Sequence, residues 1–326
     1  MTIDIRELDP AQPETLAALL PVFQAALAVD APLHARPDTA FMRLVTAARV
    51  DQHRVFLAAY DDGAPIGYGC LIHNLIVNQD MVFADIWVLP ERRADVAAPL
   101  IEAFKEYARG RGATRFVGGS TEPAAAGYDP VFTAGGGRKV DADQRSQLDL
   151  TTIDRDQYAA WAAPSEKNAH YRVESWLAPT PEDLLPALAI AGEAMHDAPS
   201  TLEFEHPPPD VDRRRRREAF FAALDVRKYN IAAFAEDGVV AGFHEVLVVP
   251  GFRMADIDHT AVTAPFRGHG LGLRLKAALT LRLLADEPHV DLIGTWNNTD
   301  NEPMLRVNQT LGYRPAEVWN TWQFDL

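Results

Sequence analysis

Hydrophobic and polar positions along this chain change period many times, and each change marks a predicted element. Residues 3–8 alternate apolar and charged, the period of a short strand. Residues 14–29 place Leu16, Leu19, Leu20 and Phe23 on one helical face, and 41–49 reads as a second helix. Strands at 54–60 and 66–76 flank the turn Asp61-Asp62-Gly63. A strand at 81–88, a helix at 94–109 and a strand at 115–119 follow. The order then returns. Residues 171–176 are extended, and 181–195 and 213–224 are helical. Strands at 231–234 and 239–249 form a hairpin about Glu236-Asp237-Gly238. A strand at 254–262, a helix at 271–284, a strand at 290–296, a short helix at 302–311 and a strand at 317–324 complete the chain.

The recurrence extends to residues. Ala58-Ala59-Tyr60, Gly63 and Gly67 correspond to Ala232-Ala233-Phe234, Gly238 and Gly242, with both glycine pairs 175 apart (238 − 63 and 242 − 67). Val88 and Arg93 correspond to Val262 and Arg267 at 174, and Gln147-Leu148-Asp149-Leu150 to Gln323-Phe324-Asp325-Leu326 at 176. Four agreements in order point to a duplicated domain. The expected division is a first domain at 1–153, a linker at 154–170 and a second domain at 171–326, both α/β.

Composition narrows the setting. The chain has 326 residues, 48% hydrophobic and 24% charged, enough for two soluble domains. A formal net charge of −15 disfavours bulk nucleic-acid binding and admits cationic or neutral partners. With Cys70 as the lone cysteine there is no internal disulfide and no cysteine-rich metal site. The opening MTIDIRELDP is acidic where a secretory signal is basic and then apolar, and no uninterrupted apolar run reaches the length of a membrane span. A cytoplasmic protein without a membrane partner is expected.

The stretch Arg267-Gly268-His269-Gly270-Leu271-Gly272 lies between a strand and a Leu/Ala-rich helix. Glycines let backbone approach a bulky ligand, and a helix opening there presents unpaired N–H groups to phosphate. The dinucleotide fingerprint GxGxxG fails at Leu273, and no GxxxxGK[ST] is present. His244-Glu245 lacks the second histidine of HExxH, since Val248 stands there. Gly118-Gly119-Ser120-Thr121-Glu122 misses the GxSxG elbow at its last position.

R-x-x-G-x-G after a strand ending in valine and before a long helix resembles the acyl-CoA-binding motif of the GNAT N-acetyltransferase superfamily. Asn301, Met304, Asn308 and Leu311-Gly312-Tyr313 resemble that family's later helix and its LGF/LGY segment. The resemblance spans most of 171–326 and implies two tandem GNAT folds, each a mixed sheet with a splayed strand pair flanked by helices. The tandem arrangement is similar to that of mycothiol synthase. By the resemblance, the N–H groups of Gly268, His269, Gly270, Leu271, Gly272 and Leu273 hold the CoA pyrophosphate, with side-chain help from Arg267 and His269. Ala261, Val262 and Thr263 bond the pantetheine arm, and Asn301 and Asn308 either contact CoA or cap the short helix. Acetyl-CoA is the expected cosubstrate, with no metal.

Acyl transfer needs a base for the amine and donors for the oxyanion. Strand alternation places Asp256, Asp258, Thr260 and Val262 on one face, and Ile257, His259 and Ala261 on the other. Asp256 stands eleven residues before Arg267 (267 − 256), where the family often has a glutamate. Asp256 and Asp258 are the candidate bases, each able to raise the other's pKa; the alternative is a pair of solvated strand-end residues. Glu245 is a further candidate acting through water, and His259 is expected in the packed layer. Asn308 stands where many relatives carry an acidic tyrosine, and an amide is no general acid, leaving water, Tyr313 or no dedicated acid.

In the first copy Arg93-Ala94-Asp95-Val96-Ala97-Ala98 replaces the glycine loop. Its Cβ atoms and its aspartate oppose pyrophosphate, so the first domain is expected to be degenerate and Glu91-Arg92-Arg93 a solvated turn. Arg213 to Arg217 reads as a solvated helix start. Glu203, Glu205 and His206 in the Pro-rich loop, with Trp296 and Asn297 after the later strand, are the candidate acceptor contacts. The expectation is an N-acetyltransferase acting on a small-molecule amine in a ternary complex, as monomer or homodimer. A non-catalytic acyl-CoA sensor and a protein N-acetyltransferase are the alternatives.

Overall fold

The computed structural model describes residues 3–326. In chain order the first half forms β1 (Asp4–Leu8), α1 (Pro13–Asp30), α2 (Thr39–Thr46), β2 (Gln52–Asp61), β3 (Ala64–Asn74), β4 (Met81–Val88), α3 (Arg93–Gly110), β5 (Arg115–Thr121), α4 (Ala125–Ala134) and β6 (Arg138–Asp149). The second forms α5 (Arg155–Ala162), β7 (Arg172–Leu177), α6 (Leu185–Ala191), α7 (Val211–Ala223), β8 (Arg227–Phe234), β9 (Val240–Val248), β10 (Met254–Val262), α8 (Leu271–Asp286), β11 (Leu292–Asn298), α9 (Glu302–Thr310) and β12 (Arg314–Asp325). Local chemistry sets several starts. Asp38, Asp154 and Asp210 accept main-chain N–H groups at the openings of α2, α5 and α7, and Pro13 opens α1 where its missing N–H costs nothing.

Two compact units emerge, and they are not the two contiguous halves expected from the repeat. One comprises 1–144, 200–207 and 316–326; the other comprises 145–199 and 208–315. In the first unit the strand order is β1-β2-β3-β4-β5-β12, with β12 antiparallel to β5 from Trp319↔Thr121 to Asp325↔Arg115. Trp322 and Phe324 thereby join a core of Val55, Leu71, Val82, Leu100, Phe104, Phe116 and Phe132. In the second unit the order is the end of β6, then β11-β10-β9-β8-β7. Leu148 and Leu150 there join Tyr229, Ile231, Val246, Leu271, Leu275, Leu279 and Ile293. A smaller apolar layer of Leu188, Ala191, Ala232, Phe243 and Ala261 packs the opposite face of that sheet.

The expected linker at 154–170 instead contains α5 and a tight segment bound to α8: Arg274 Nη1 donates to the Asn168 carbonyl at 2.7 Å, and the Tyr158 hydroxyl donates to the Leu311 carbonyl at 2.5 Å. α4 and β6 also escape the hydrophobic pattern. Pro130 interrupts the first, and the second, RKVDADQRSQLD, is too polar for period-two alternation to show.

Among the described residues each unit shows a short parallel pair. β4 meets β5 only from Met81↔Arg115 to Ala84↔Gly118, and β10 meets β11 only from Met254↔Leu292 to Asp256↔Gly294. β10 nevertheless stays paired with β9 as far as Val262↔Gly242. From residue 257 onward one edge of β10 is therefore without a strand partner, and its backbone polar groups face the gap.

Candidate functional site

The gap leads to the glycine loop. Gly268 and Gly270 have φ of +82° and +75°, values at which a side chain is strained, and Gly270 is the cap residue of α8. No side chain caps this helix, and among the described residues no N–H group from Gly268 to Leu273 donates to a carbonyl. The loop is braced from behind. Asn168 Nδ2 donates to the His269 carbonyl at 3.1 Å, and the Tyr171 hydroxyl lies 2.5 Å from His269 Nδ1. Arg267 donates to the Val262 carbonyl at 3.1 Å and pairs with Asp197, while half of its side chain stays exposed. The result is a helix start with free N–H groups beside a basic side chain, a setting suited to an anion.

Strand β10 departs from simple alternation. Its register with β9 runs Ile257↔Val246 and then His259↔Glu245, so Asp258 is an extra residue at a bulge. The bulge shifts the face of everything after it. His259, expected opposite Asp258, instead lies with it: His259 Nδ1 is 3.0 Å from Glu245 Oε2 and 3.3 Å from Asp258 Oδ2. Lys228 Nζ of β8 is 3.0 Å from Glu245 Oε2 and 3.8 Å from Asp258 Oδ2. Two arginines of the run complete the cluster, Arg214 pairing with Glu245 and Arg217 with Asp258, while Arg215 stays exposed and pairs with Glu182 and Asp212.

These contacts lower the basicity of two of the candidate bases. Burial alone would raise Glu245, but Lys228, Arg214 and His259 outweigh it and hold its pKa far below the usual range. Burial is likewise overcome at Asp258 by His259, Arg217 and Lys228, and its carboxyl is held well down. His259 is pushed up to about 9, burial being outweighed by Asp258 and Glu245. Glu245, Asp258 and His259 have the spacing of a cation site, but Lys228, Arg214 and Arg217 already meet that negative charge.

Asp256 behaves differently. It stands at the last paired position before β10 and β11 part, and burial raises its pKa to about 6 against a weaker opposing pull from Arg145. Asp256 Oδ1 lies over Gly294; a Cβ there would come within 2.8 Å of it. The two aspartates thus do not raise each other: one is ionised by its cations, and the other is perturbed by burial.

A second polar group lies beneath α8. Lys276 Nζ donates to Asn308 Oδ1 at 2.7 Å, and Asn308 Nδ2 donates to Asn297 Oδ1 at 2.7 Å. His244 Nδ1 lies 2.8 Å from the Thr260 hydroxyl. Lys276 and His244 carry no sequence signal of their own, because nothing in the spacing of a helix or hairpin marks a buried cation or imidazole. Tyr313, a candidate acid, is 4% exposed in the hydrophobic core, and burial with Tyr158 nearby raises its pKa well above normal. Asn301 caps α9, accepting the Met304 N–H at 3.4 Å. Thr263 is held to β9, its N–H donating to the Ala241 carbonyl at 3.0 Å. Ala261 is buried in the smaller apolar layer, and Trp296 is 43% exposed at the end of β11.

This geometry has counterparts among known proteins. A family profile described as "Acetyltransferase (GNAT) family" matches residues 23–128. A tandem GNAT protein from the clavulanic acid biosynthesis pathway superposes with a TM-score of 0.82 at 24% identity, over 99% of this chain and 98% of that one. The chain is a tandem GNAT-fold protein. A GCN5-related N-acetyltransferase from Sphaerobacter thermophilus gives 0.71 at 15% identity, covering 99% and 95%. Saccharomyces cerevisiae N-myristoyltransferase with bound myristoyl-CoA gives 0.60 at 11% identity, covering 99% and 78%. No curated protein matches the sequence.

The profile match falls on the first GNAT unit, the one without a glycine loop. There Arg93, counterpart of Arg267, is not in a solvated turn. It is 5% exposed, paired with Asp30, and its guanidinium lies 4.9 Å from the Tyr128 ring centroid. Burial raises Asp30 to about 6 even beside that arginine. Arg92 bonds Asp61 at 2.8 Å. The turn has no positive-φ glycine, and its arginine points inward, so its backbone offers no cradle like that of Gly268 to Leu273.

Glu203 and His206 were expected to line the second unit's acceptor pocket. The segment 200–207 belongs instead to the first unit. Asn78 Nδ2 donates to the Glu205 carbonyl at 2.9 Å, Phe204 stacks on Phe83 at 6.2 Å, and the Glu203 carbonyl accepts from Arg115 at 3.4 Å. A Pro-rich loop carries no periodicity from which such docking is readable.

Proposed function

We propose that the second GNAT unit is an acetyl-CoA-dependent N-acetyltransferase acting on the amine of a small molecule. The observation that carries this reading is the continuous run from Asp256, along the unpaired edge of β10, to the positive-φ loop that opens α8. A pyrophosphate fits the free N–H groups of Gly268 to Leu273, with Arg267 and His269 beside it, and the open strand edge through Val262 suits the amides of a pantetheine arm. That a structurally similar protein holds myristoyl-CoA supports a CoA ester as the ligand.

The thioester then lies where the strands part, beside Asp256. A carboxylate of pKa about 6 is ionised at neutral pH and still basic enough to accept a proton from an attacking amine. Direct attack forms a tetrahedral oxyanion, to which N–H groups on the edge of β10 beyond Asp256 would donate. Glu245 and Asp258, locked in ion pairs, position α7 against the sheet rather than taking protons.

The test is calorimetric titration with acetyl-CoA. Wild type should bind, and Gly270→Glu, which brings strain and negative charge to the loop, should lose at least tenfold in affinity. Absence of binding by wild type, or equal binding by the variant, overturns the reading. Thiol release across an amine panel then identifies the acceptor.

A further inference from the structure

Lys276 is a buried group that this mechanism leaves unused. It is 1% exposed, on the side of α8 that faces α9 and β11. Around it stand Asn308 of α9 at 2.7 Å, Tyr313 with its ring centroid at 5.3 Å, and His244 of β9, whose pKa is held well below the usual value by burial and then by Lys276. Thr280 of its own helix bonds only its carbonyl, at 2.8 Å. Among the described residues no carboxylate pairs with it. A buried ammonium with three donors and one hydrogen bond is costly to keep charged. Burial alone lowers its pKa to about 7. Two other buried cations have counterions, Lys228 with Glu245 and Arg93 with Asp30, whereas buried Arg274 is met by the carbonyls of Ala162 and Asn168.

Resting on the acyl-transfer reading above, we infer that Lys276 is the acid of the reaction, donating its proton to the CoA thiolate as it leaves. The Lys276–Asn308–Asn297 chain joins α8, α9 and β11, and Asn297 lies past Gly294, the point at which β11 leaves β10. The chain therefore ties Lys276 to the part of β11 that has left β10. Asp256 stands at the narrow end of the gap between those strands. The amine nitrogen attacks the thioester carbonyl and loses a proton to Asp256. Collapse of the tetrahedral intermediate breaks the C–S bond, and the sulfur takes a proton from the Lys276 ammonium. Amide and CoA thiol are the products; protonated Asp256 and neutral Lys276 reset by exchange with water. Asn308 cannot supply that proton, but its carbonyl oxygen orients the ammonium that can. The missing counterion is then the thiolate itself, present only as the bond breaks, so the charge favours the transition state over the resting enzyme.

Ultraviolet titration of the thiolate of bound CoA tests this without an acceptor. In wild type the bound thiol should titrate at least about one pH unit below free CoA, as thiols beside a lysine do. Lys276→Met should return it to the free value or above while calorimetry still shows CoA bound, and Lys276→Arg should keep it low. With an amine that turns over, Lys276→Met should lower kcat about a hundredfold or more, with KM for acetyl-CoA little changed. A wild-type thiol that titrates at or above the free value overturns the assignment, and that measurement needs no variant to fold. Failure of wild type to bind CoA at all would instead overturn the acyl-transfer reading, and this assignment with it.

Discussion

Replacing Asp256 with asparagine should stabilise the protein and abolish its chemistry in one step. Burial raises this carboxyl from its ordinary 3.8 to about 6, so the folded state holds its proton more tightly than the unfolded chain. Stability therefore falls as pH rises through the window from 3.8 to about 6, because the folded state binds more protons there than the unfolded state. At ~1.4 kcal/mol per pH unit the loss is about 3 kcal/mol, fully developed at pH 7. The replacement amide does not titrate. The unfolding free energy of Asp256→Asn relative to wild type should thus climb by about 3 kcal/mol between about pH 3 and about pH 7.5. For a urea slope of ~3 kcal/mol/M that is a relative midpoint shift of about 1 M. The assay is urea unfolding of both proteins across this range, with acetyl transfer measured on the same samples. A site that trades stability for function shows both effects. Parallel pH profiles would refute the burial argument, and retained transfer would refute the base.

Two further perturbations test the frame. Glu245→Ala should cost about 3–5 kcal/mol in chemical denaturation, because it strands Lys228 and Arg214 without their carboxylate; a loss below ~1 kcal/mol, the range of exposed pairs, would mean that the cluster is solvated. Arg93→Met should lower stability by leaving Asp30 buried without its partner, yet leave acetyl-CoA affinity unchanged by calorimetry; a tenfold drop in affinity would show that the first unit contributes to binding.

Much of this protein is written in its sequence. The strands at 81–88 and 254–262 have the same limits in the structure as in the hydrophobic pattern, because half-buried strands must alternate. The glycine loop was legible because glycine takes the positive φ at 268 and 270 without the strain a side chain brings. The duplication was legible because insertions between the repeats are few. Three matters were settled only in three dimensions. The bulge at Asp258 turned His259 toward Glu245, since one inserted residue reverses every later side chain and period-two reasoning carries no sign of it. The arginines of α7 found partners on β9 and β10, distant in sequence, so a run that reads as solvated became the counter-charge of two buried carboxylates. Lys276 is a polar position in a Leu/Ala-rich helix, yet it is buried against an asparagine, with no carboxylate paired to it among the described residues. A sequence states which groups can ionise; desolvation and the distance to the next charge decide which of them do, and both belong to the tertiary structure.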